Sequence, residues 1–356
     1  MTVTAPTPAP AAEVPESSGT RLVDRVFKMR ELAILVVFLV MIAVTQAGNS
    51  QFLSEQGIKD LLLNATILVL VATGQSLVVI SRNVDLSVGS TLGISAFAAG
   101  TYLHGGGDPV VAVVLAVLLG IGCGLLNGLL VSLGQVPALV VTLGTLYIIR
   151  GVDSIWVGSR QITAADLPGG FVDFGSGGLS AVPWLALIAL AVLVATAYYL
   201  KHFGSGRELY ALGSNPEAAR LAGIPVRKRL LTAYTVCGAL AGLAGALYLA
   251  RFGNVDSGTG NGYELTVVSA VVVGGVVFTG GSGSVYGAAL GALLLTSVNS
   301  VLPALGVSSV WVLAINGVLL LLAIAVDRIV ALRVAAALKK KSAPRRTAVA
   351  KENTGA

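Results

Sequence analysis

The chain has 356 residues, of which 55% are hydrophobic and only 11% charged, with a mean hydropathy of +0.87. Soluble domains carry roughly 25% charged residues, so the composition excludes an ordinary soluble globular protein and points to the bilayer. A net charge of +6 would suggest nucleic acid in a soluble protein, but here the basic residues flank apolar runs and report orientation, so no nucleic-acid partner is expected.

Residues 1–20 are rich in Pro, Ala, Thr, Ser and Glu and lead into a basic stretch, Arg21 to Arg30. Residues 1–30 therefore read as a disordered, basic amino-terminal tail. No small-residue cleavage site stands out around Thr45-Gln46-Ala47, so the first apolar run is read as a retained helix. Ten spans follow from length and polarity: 31–47, 61–81, 86–103, 109–133, 136–157, 181–200, 230–250, 264–281, 284–302 and 308–326. Gly, Ser and Thr in the third and fifth leave room for partial or re-entrant insertion. Residues 327–356 form a basic tail.

Transmembrane strands would alternate apolar and polar positions over about 10 residues, and no such pattern occurs. The expected fold is an all-α integral membrane protein, a bundle of about ten helices rich in glycine (44 residues). Glycines at four-residue spacing (Gly120, Gly124, Gly128; Gly238, Gly242; Gly283, Gly287, Gly291) predict helix faces that approach backbone to backbone. Of the 23 Lys and Arg residues, 19 fall on one side if the amino terminus is cytoplasmic. Only Lys59, Arg150, Arg160 and Arg251 fall on the other, so both termini are expected in the cytoplasm.

Chemistry-bearing clusters are scarce. Without a Gly-Lys dipeptide there is no phosphate-binding loop of the Gly-x4-Gly-Lys-Ser/Thr kind. His104 and His202 are far apart in the topology, and Cys123 and Cys237 lie in apolar runs, so neither metal binding nor catalysis is expected. Arg150 and Asp153 share a helix face and are expected to neutralise each other; Arg82 and Asp85 have the same spacing. Asp85 and Glu264 also stand where each can cap the helix that follows. Uncharged polar residues within spans, which can pass a neutral solute without trapping it, are the pathway candidates. They are Asn64, Gln75, Ser87, Ser90, Asn127, Thr142, Thr145, Asn299 and Asn316; the same groups commonly bond neighbouring helices.

One polar, helix-capable island interrupts this apolar chain, Gly213-Ser-Asn-Pro-Glu-Ala-Ala-Arg-Leu-Ala-Gly223. It sits in a loop, 201–229, whose flanks are basic and therefore cytoplasmic. Ser214 or Asn215 can cap a short helix, Pro216 suits its first turn, and Gly223 ends it before Pro225.

Six segments in order resemble the ribose-type permeases of ATP-binding cassette (ABC) importers, in the branched-chain amino acid and sugar permease superfamily, over about residues 30–330. They are Val84-Asp85-Leu86-Ser87-Val88-Gly89-Ser90, Leu126-Asn127-Gly128, Thr142-Leu143-Gly144-Thr145 with Arg150-Gly151, the 213–223 island, Gly262-Tyr263-Glu264-Leu265, and Gly274-Gly275 through Ser284. Ser81-Arg82-Asn83 replaces the Gly-Gly usual before Ile-Asp-Leu-Ser, a variant closer to the rhamnose and autoinducer-2 branches. The resemblance implies a type II-importer-like permease subunit in a bacterial inner or plasma membrane. It implies a second permease copy (homodimer or paralogous heterodimer), a cytoplasmic ABC ATPase with tandem cassettes that uses ATP and Mg, and an extracytoplasmic sugar-binding protein. This chain itself would bind no cofactor. On that likeness Gly213, Asn215, Glu217, Ala218, Ala219, Arg220 and Gly223 form the ATPase-coupling segment, and Asp85 joins the pathway candidates. It departs from the longer loop of other importer permeases, because Ile-x-Leu-Pro does not follow Gly223. The competing expectations are an ion-coupled secondary transporter, which needs buried carboxylates, and a membrane enzyme, which needs a catalytic cluster at one face.

Overall fold

The computed structural model describes residues 18–304 and scattered positions from 306 to 329. Residues 1–17 of the expected amino-terminal tail 1–30, residues 330–356 of the expected tail 327–356, the pathway candidate Asn316 and most of the tenth span lie outside the described residues. Residues 18–30, expected to be disordered, belong to a helix. Helix α1 (Ser18–Gly48) begins well before the first apolar run. α2 (Glu55–Ile80) starts where Ser54 Oγ accepts the Gly57 N–H at 3.2 Å. α3 (Val88–His104) follows a non-helical stretch, 81–87. Asp108 caps α4 (Pro109–Ser132), its Oδ1 accepting from Val110 and Val111 N–H, with Pro109 in the first turn where no N–H is needed. α5 (Ala138–Val157) is one continuous helix, with no re-entrant break.

The connection from α5 holds a 3-10 turn at Ala164–Asp166, α6 (Gly169–Ser176) and a small hairpin of β1 (Gly178–Leu179) with β2 (Val182–Pro183). α7 (Trp184–His202), α8 (Gly204–Ser214), α9 (Pro216–Leu221) and α10 (Val226–Phe252) follow. α10 ends at Gly253, whose φ of +60° suits glycine. α11 (Tyr263–Val273) is short, and α12 (Val285–Ala304) completes the described bundle.

Among the described residues six helices are long and apolar enough to cross a membrane: α2, α4, α5, α7, α10 and Val285–Leu302 of α12. The apolar part of the first helix, Ile34–Gly48, and the whole of α11 are shorter. The ten-span expectation is therefore corrected in two places. The third span (86–103) is a 17-residue helix that starts only at Val88, and the eighth (264–281) stays helical only to Val273. Beyond it, Gly275, Gly280 and Gly281 take positive φ values that a helix cannot accommodate, and the chain runs on unwound to α12.

α2 is the mast of the bundle: 94% of its apolar window is buried, against 28% for α5. Its neighbours α7, α10, α11 and α12 complete one core around Leu70, Leu77, Tyr234 and Leu295. The glycine ladders act as expected in packing. A Cβ at Gly120 would overlap the Gly238 carbonyl and one at Gly238 the Gly120 carbonyl, so α4 and α10 meet backbone to backbone. Gly283 falls outside α12, but Gly291 packs on the Ala270 carbonyl and Gly274 on that of Gly287.

Candidate functional site

The pathway candidates separate into two places. Seven of them (Gln75, Asp85, Ser87, Ser90, Asn127, Thr142 and Thr145) meet in one buried network near the end of the bundle that carries α8 and α9. The turn 81–87 folds back beside α2, which brings Asp85 about five residues, roughly 8 Å, inside the α2 terminus, opposite Gln75. Asp85 Oδ1 accepts from the Ser87 N–H at 2.9 Å and from Ser87 Oγ at 2.7 Å. Asn127 Nδ2 on α4 donates to both Asp85 oxygens at 3.2 Å and to Ser87 Oγ at 2.8 Å. Thr145 Oγ1 on α5 donates to Asn127 Oδ1 at 2.7 Å, and Thr142 Oγ1 to Ala138 O at 2.9 Å. Ser90 Oγ donates to Ser87 O at 2.9 Å. With its amide oriented to satisfy both ends, Gln75 clasps the Asp85 peptide, donating to its carbonyl at 3.2 Å and accepting from its N–H at 3.1 Å.

The sequence reading missed Tyr234 on α10, whose hydroxyl donates to Val84 O at 3.2 Å. A hydroxyl inside an apolar helix, one residue before Thr235 and three before Cys237, gave no signal of that partner. The network thus ties five helices together through groups that satisfy one another, the form in which buried polar atoms stabilise a low-dielectric interior.

Among the described residues neither expected charge pair closes as a salt bridge, although the Arg150 charge still acts on Asp153. Asp85 is engaged by Ser87 and Asn127, while Arg82 is exposed with a φ of +67°. Arg150 Nη1 instead donates to Thr259 O at 2.7 Å, and the fully buried Asp153 leaves both oxygens without a hydrogen bond. The loop 256–262 lies against α3, with Thr259 O close to Gly93 and Gly260 O close to Gly89, and so brings a carbonyl to the Arg150 guanidinium. Glu264 does return to its helix start, where Oε1 accepts the Gly262 N–H at 3.2 Å.

Asn64 on α2 and Asn299 on α12 lie apart from that network. With Asn261, Thr266, Thr296 and Ser300 they line a cavity of about 320 Å³ toward the opposite end of the bundle.

The 213–223 island forms a small rigid unit. Asn215, rather than Ser214, caps α9: its Oδ1 accepts from Glu217 N–H at 3.1 Å and Ala218 N–H at 3.0 Å, with Pro216 in the first turn. At the other end Gly223, at φ +79°, donates to Arg220 O and Ile224 to Ala219 O, both at 3.0 Å, the Schellman arrangement. Ala219 faces inward, and Leu221, which the sequence reading overlooked, is 89% exposed. Gly213 packs so closely on the Ile80 carbonyl and Gly281 N–H that a Cβ there would overlap both. Gly281 N–H donates to Ile80 O at 2.8 Å, and Tyr210 OH, its pKa pushed up to about 12 by burial, donates to Gly283 O at 3.1 Å. An ion pair of Arg229 with Glu208 joins α10 to α8. Among the described residues no group of His, Cys, Asp and Glu is arranged to hold a metal ion.

Known proteins resemble this chain over most of its length. The autoinducer 2 import system permease protein LsrC of Salmonella typhimurium is 37% identical over 295 residues, which is 82% of this chain and 84% of that protein. The protein of that name from Escherichia coli O157:H7 is 36% identical over 301 residues, 84% and 86% of the two chains. The ribose import permease protein RbsC of Escherichia coli K12 is 35% identical over 315 residues, 87% of this chain and 97% of that one. No solved structure matches. Residues 57–324, from the first turn of α2 to past α12, match the family described as branched-chain amino acid transport system / permease component, and the chain is a multi-pass membrane protein of that family.

Proposed function

We propose that this chain is the permease subunit of a bacterial ABC importer for a small sugar or sugar-like solute. It works with a second permease copy, a cytoplasmic ATPase with tandem cassettes and an extracytoplasmic sugar-binding protein. The partner ATPase uses ATP and Mg; this chain is a transport subunit, not an enzyme. Both termini and the α8–α9 end face the cytoplasm, in keeping with the basic residues gathered there. The solute is of the class carried by the relatives, autoinducer 2 or ribose, with rhamnose a further candidate.

The observation that carries this reading is α9, a polar turn of helix locked at both ends and presenting Glu217, Arg220 and Leu221 outward from a membrane protein. Leu221 offers an exposed apolar contact, and Arg220 beside it is of a residue type enriched among interface hot spots. Motion of α9 passes through α8 to the Gly213–Ile80–Gly281 junction. Ile80 immediately precedes the turn that holds Asp85, so the same motion bears on the clasp between α2, α3, α4, α5 and α10. Docking energy is thus converted to separation of helices at the cytoplasmic end, the two-state element that alternating access needs.

The test is uptake by cells expressing the assembled transporter, with ATP and the ion gradients varied separately. Uptake should follow ATP and survive collapse of the proton and sodium gradients. Uptake that stops with the gradient at constant ATP would establish an ion-coupled secondary transporter instead. Glu217→Lys and Gly223→Pro should abolish uptake while leaving the protein in the membrane; normal transport by both would remove α9 from the coupling.

A further inference from the structure

From the cavity between α2, α11 and α12 we infer that the permease itself carries a binding site for one neutral, monosaccharide-sized polyhydroxylated solute, near the end of the bundle opposite α8 and α9. This rests on the proposed import function and goes beyond it, since selectivity would then not belong to a separate binding protein alone. At about 320 Å³ the cavity is at the small end of the roughly 300–1,000 Å³ range of small-molecule sites, which suits a single sugar ring.

The lining is what such a ring requires. The side-chain amides of Asn64, Asn261 and Asn299 have no hydrogen-bond partner among the described residues, although two of them stand on membrane helices. Asn64 is half-buried, while Asn261 and Asn299 are exposed at the mouth of the cavity. An amide left bare in hydrocarbon costs several kcal/mol, so three gathered around one hollow mark a wet, ligand-accessible space rather than a lipid-facing surface. Each offers two donors and an acceptor, the complement of a hydroxyl group. Thr266 Oγ1 and Ser300 Oγ donate to carbonyls of their own helices, at 3.0 and 3.3 Å, and so leave oxygen lone pairs for ligand hydroxyls.

Phe252 and Tyr263 add ring surface on which the C–H face of a sugar can pack. The rings are held in place: Tyr248 lies 4.5 Å from Phe252 and 6.3 Å from Tyr263 between centroids. Among the described residues no charged side chain lines the cavity. Arg251, beside it, is tied to Asp60 at 3.2 Å and lies over the outer face of Phe252. A carboxylate, ammonium or phosphate group would enter without a counter-charge and is disfavoured.

The experiment measures equilibrium binding of radiolabelled D-ribose and L-rhamnose to the purified full-length chain in lipid nanodiscs, with L-leucine and ribose 5-phosphate as charged controls. At least one neutral sugar should bind saturably and both controls should not. The double substitution Asn64→Leu, Asn299→Leu should weaken that binding by about tenfold or more, the loss of two hydrogen bonds. Thr296→Val, a nearly isosteric change, gives a smaller loss and guards against misfolding, and thermal unfolding of each variant is followed alongside. Absence of saturable sugar binding by wild type, binding of leucine or the phosphate ester in its place, or unchanged affinity in folded variants would each overturn the site. These outcomes are separable from the import reading: sugar binding without ATP-driven uptake sinks only the latter, and ATP-driven sugar uptake with no binding here sinks only the cavity.

Discussion

Asn127 is the residue on which the buried network turns, because its amide meets Asp85 and Ser87 on one side and Thr145 on the other. Asn127→Leu would leave Asp85 Oδ2 without its partner in the core and Thr145 Oγ1 with only its longer bond to Thr142 O. A buried group left unsatisfied costs about 1–3 kcal/mol, so this variant should lose about 2 kcal/mol or more of stability, read as a lower unfolding temperature in detergent. Asn127→Asp is the more severe change, setting two carboxyl groups against each other in the core. Gln75→Leu tests the other arm of the clasp, where the amide holds the Asp85 peptide; its loss should loosen the 81–87 turn and raise hydrogen exchange there. Exchange left unchanged would show that the turn is held without Gln75.

At the scale of elements, α4 and α10 are set by glycine. Reciprocal overlap of Gly120 and Gly238 with each other's carbonyls leaves no room for a side chain, so Gly120→Val must push the helices apart. Overpacking of this kind costs about 1–3 kcal/mol, and the same change at Gly144, which faces open space, should cost far less. A comparison of the two by thermal unfolding checks the assignment; equal losses would mean that close approach is not what the ladder provides. α9 is the other element with a separable role. Leu221→Asp removes its exposed apolar contact without touching either cap, and a contact at the centre of an interface is worth about 2 kcal/mol. ATPase binding should weaken by roughly 30-fold while the permease keeps its fold, measured by co-purification and thermal unfolding.

For the whole molecule, sidedness decides which end meets the ATPase and which the solute. Cys123 is half-buried and Cys237 buried, so both are poor targets for a bulky impermeant maleimide. His104→Cys, at the last residue of α3 before the short turn to α4, should label from outside intact cells. Leu221→Cys should label only after permeabilisation. The reverse pattern would invert the topology and with it the function assigned to α9. The two polar assemblies fit this arrangement, a closed clasp at the α9 end and an amide-lined cavity toward the other, with the mast of α2 running between them.

The sequence by itself determined the membrane class, most helix limits, the ends of α9 to within a residue and the family, because hydropathy, capping and glycine spacing act over a few neighbouring residues. Asn215, Pro216 and Gly223 work where the sequence put them for that reason. Only the tertiary structure decided which polar residues share a site. Asp85 meets Asn127 across 42 positions of chain and Val84 meets Tyr234 across 150, and no local pattern carries such pairings. The same holds for Arg150, whose expected partner on its own helix lost to a carbonyl 109 residues away, and for Asn64 and Asn299, which leave the other candidates to share a cavity. A turn folded back into a bundle creates neighbours that spacing along a helix cannot supply, and a hydrogen-bonding group takes the partner with the best geometry wherever the chain delivers it.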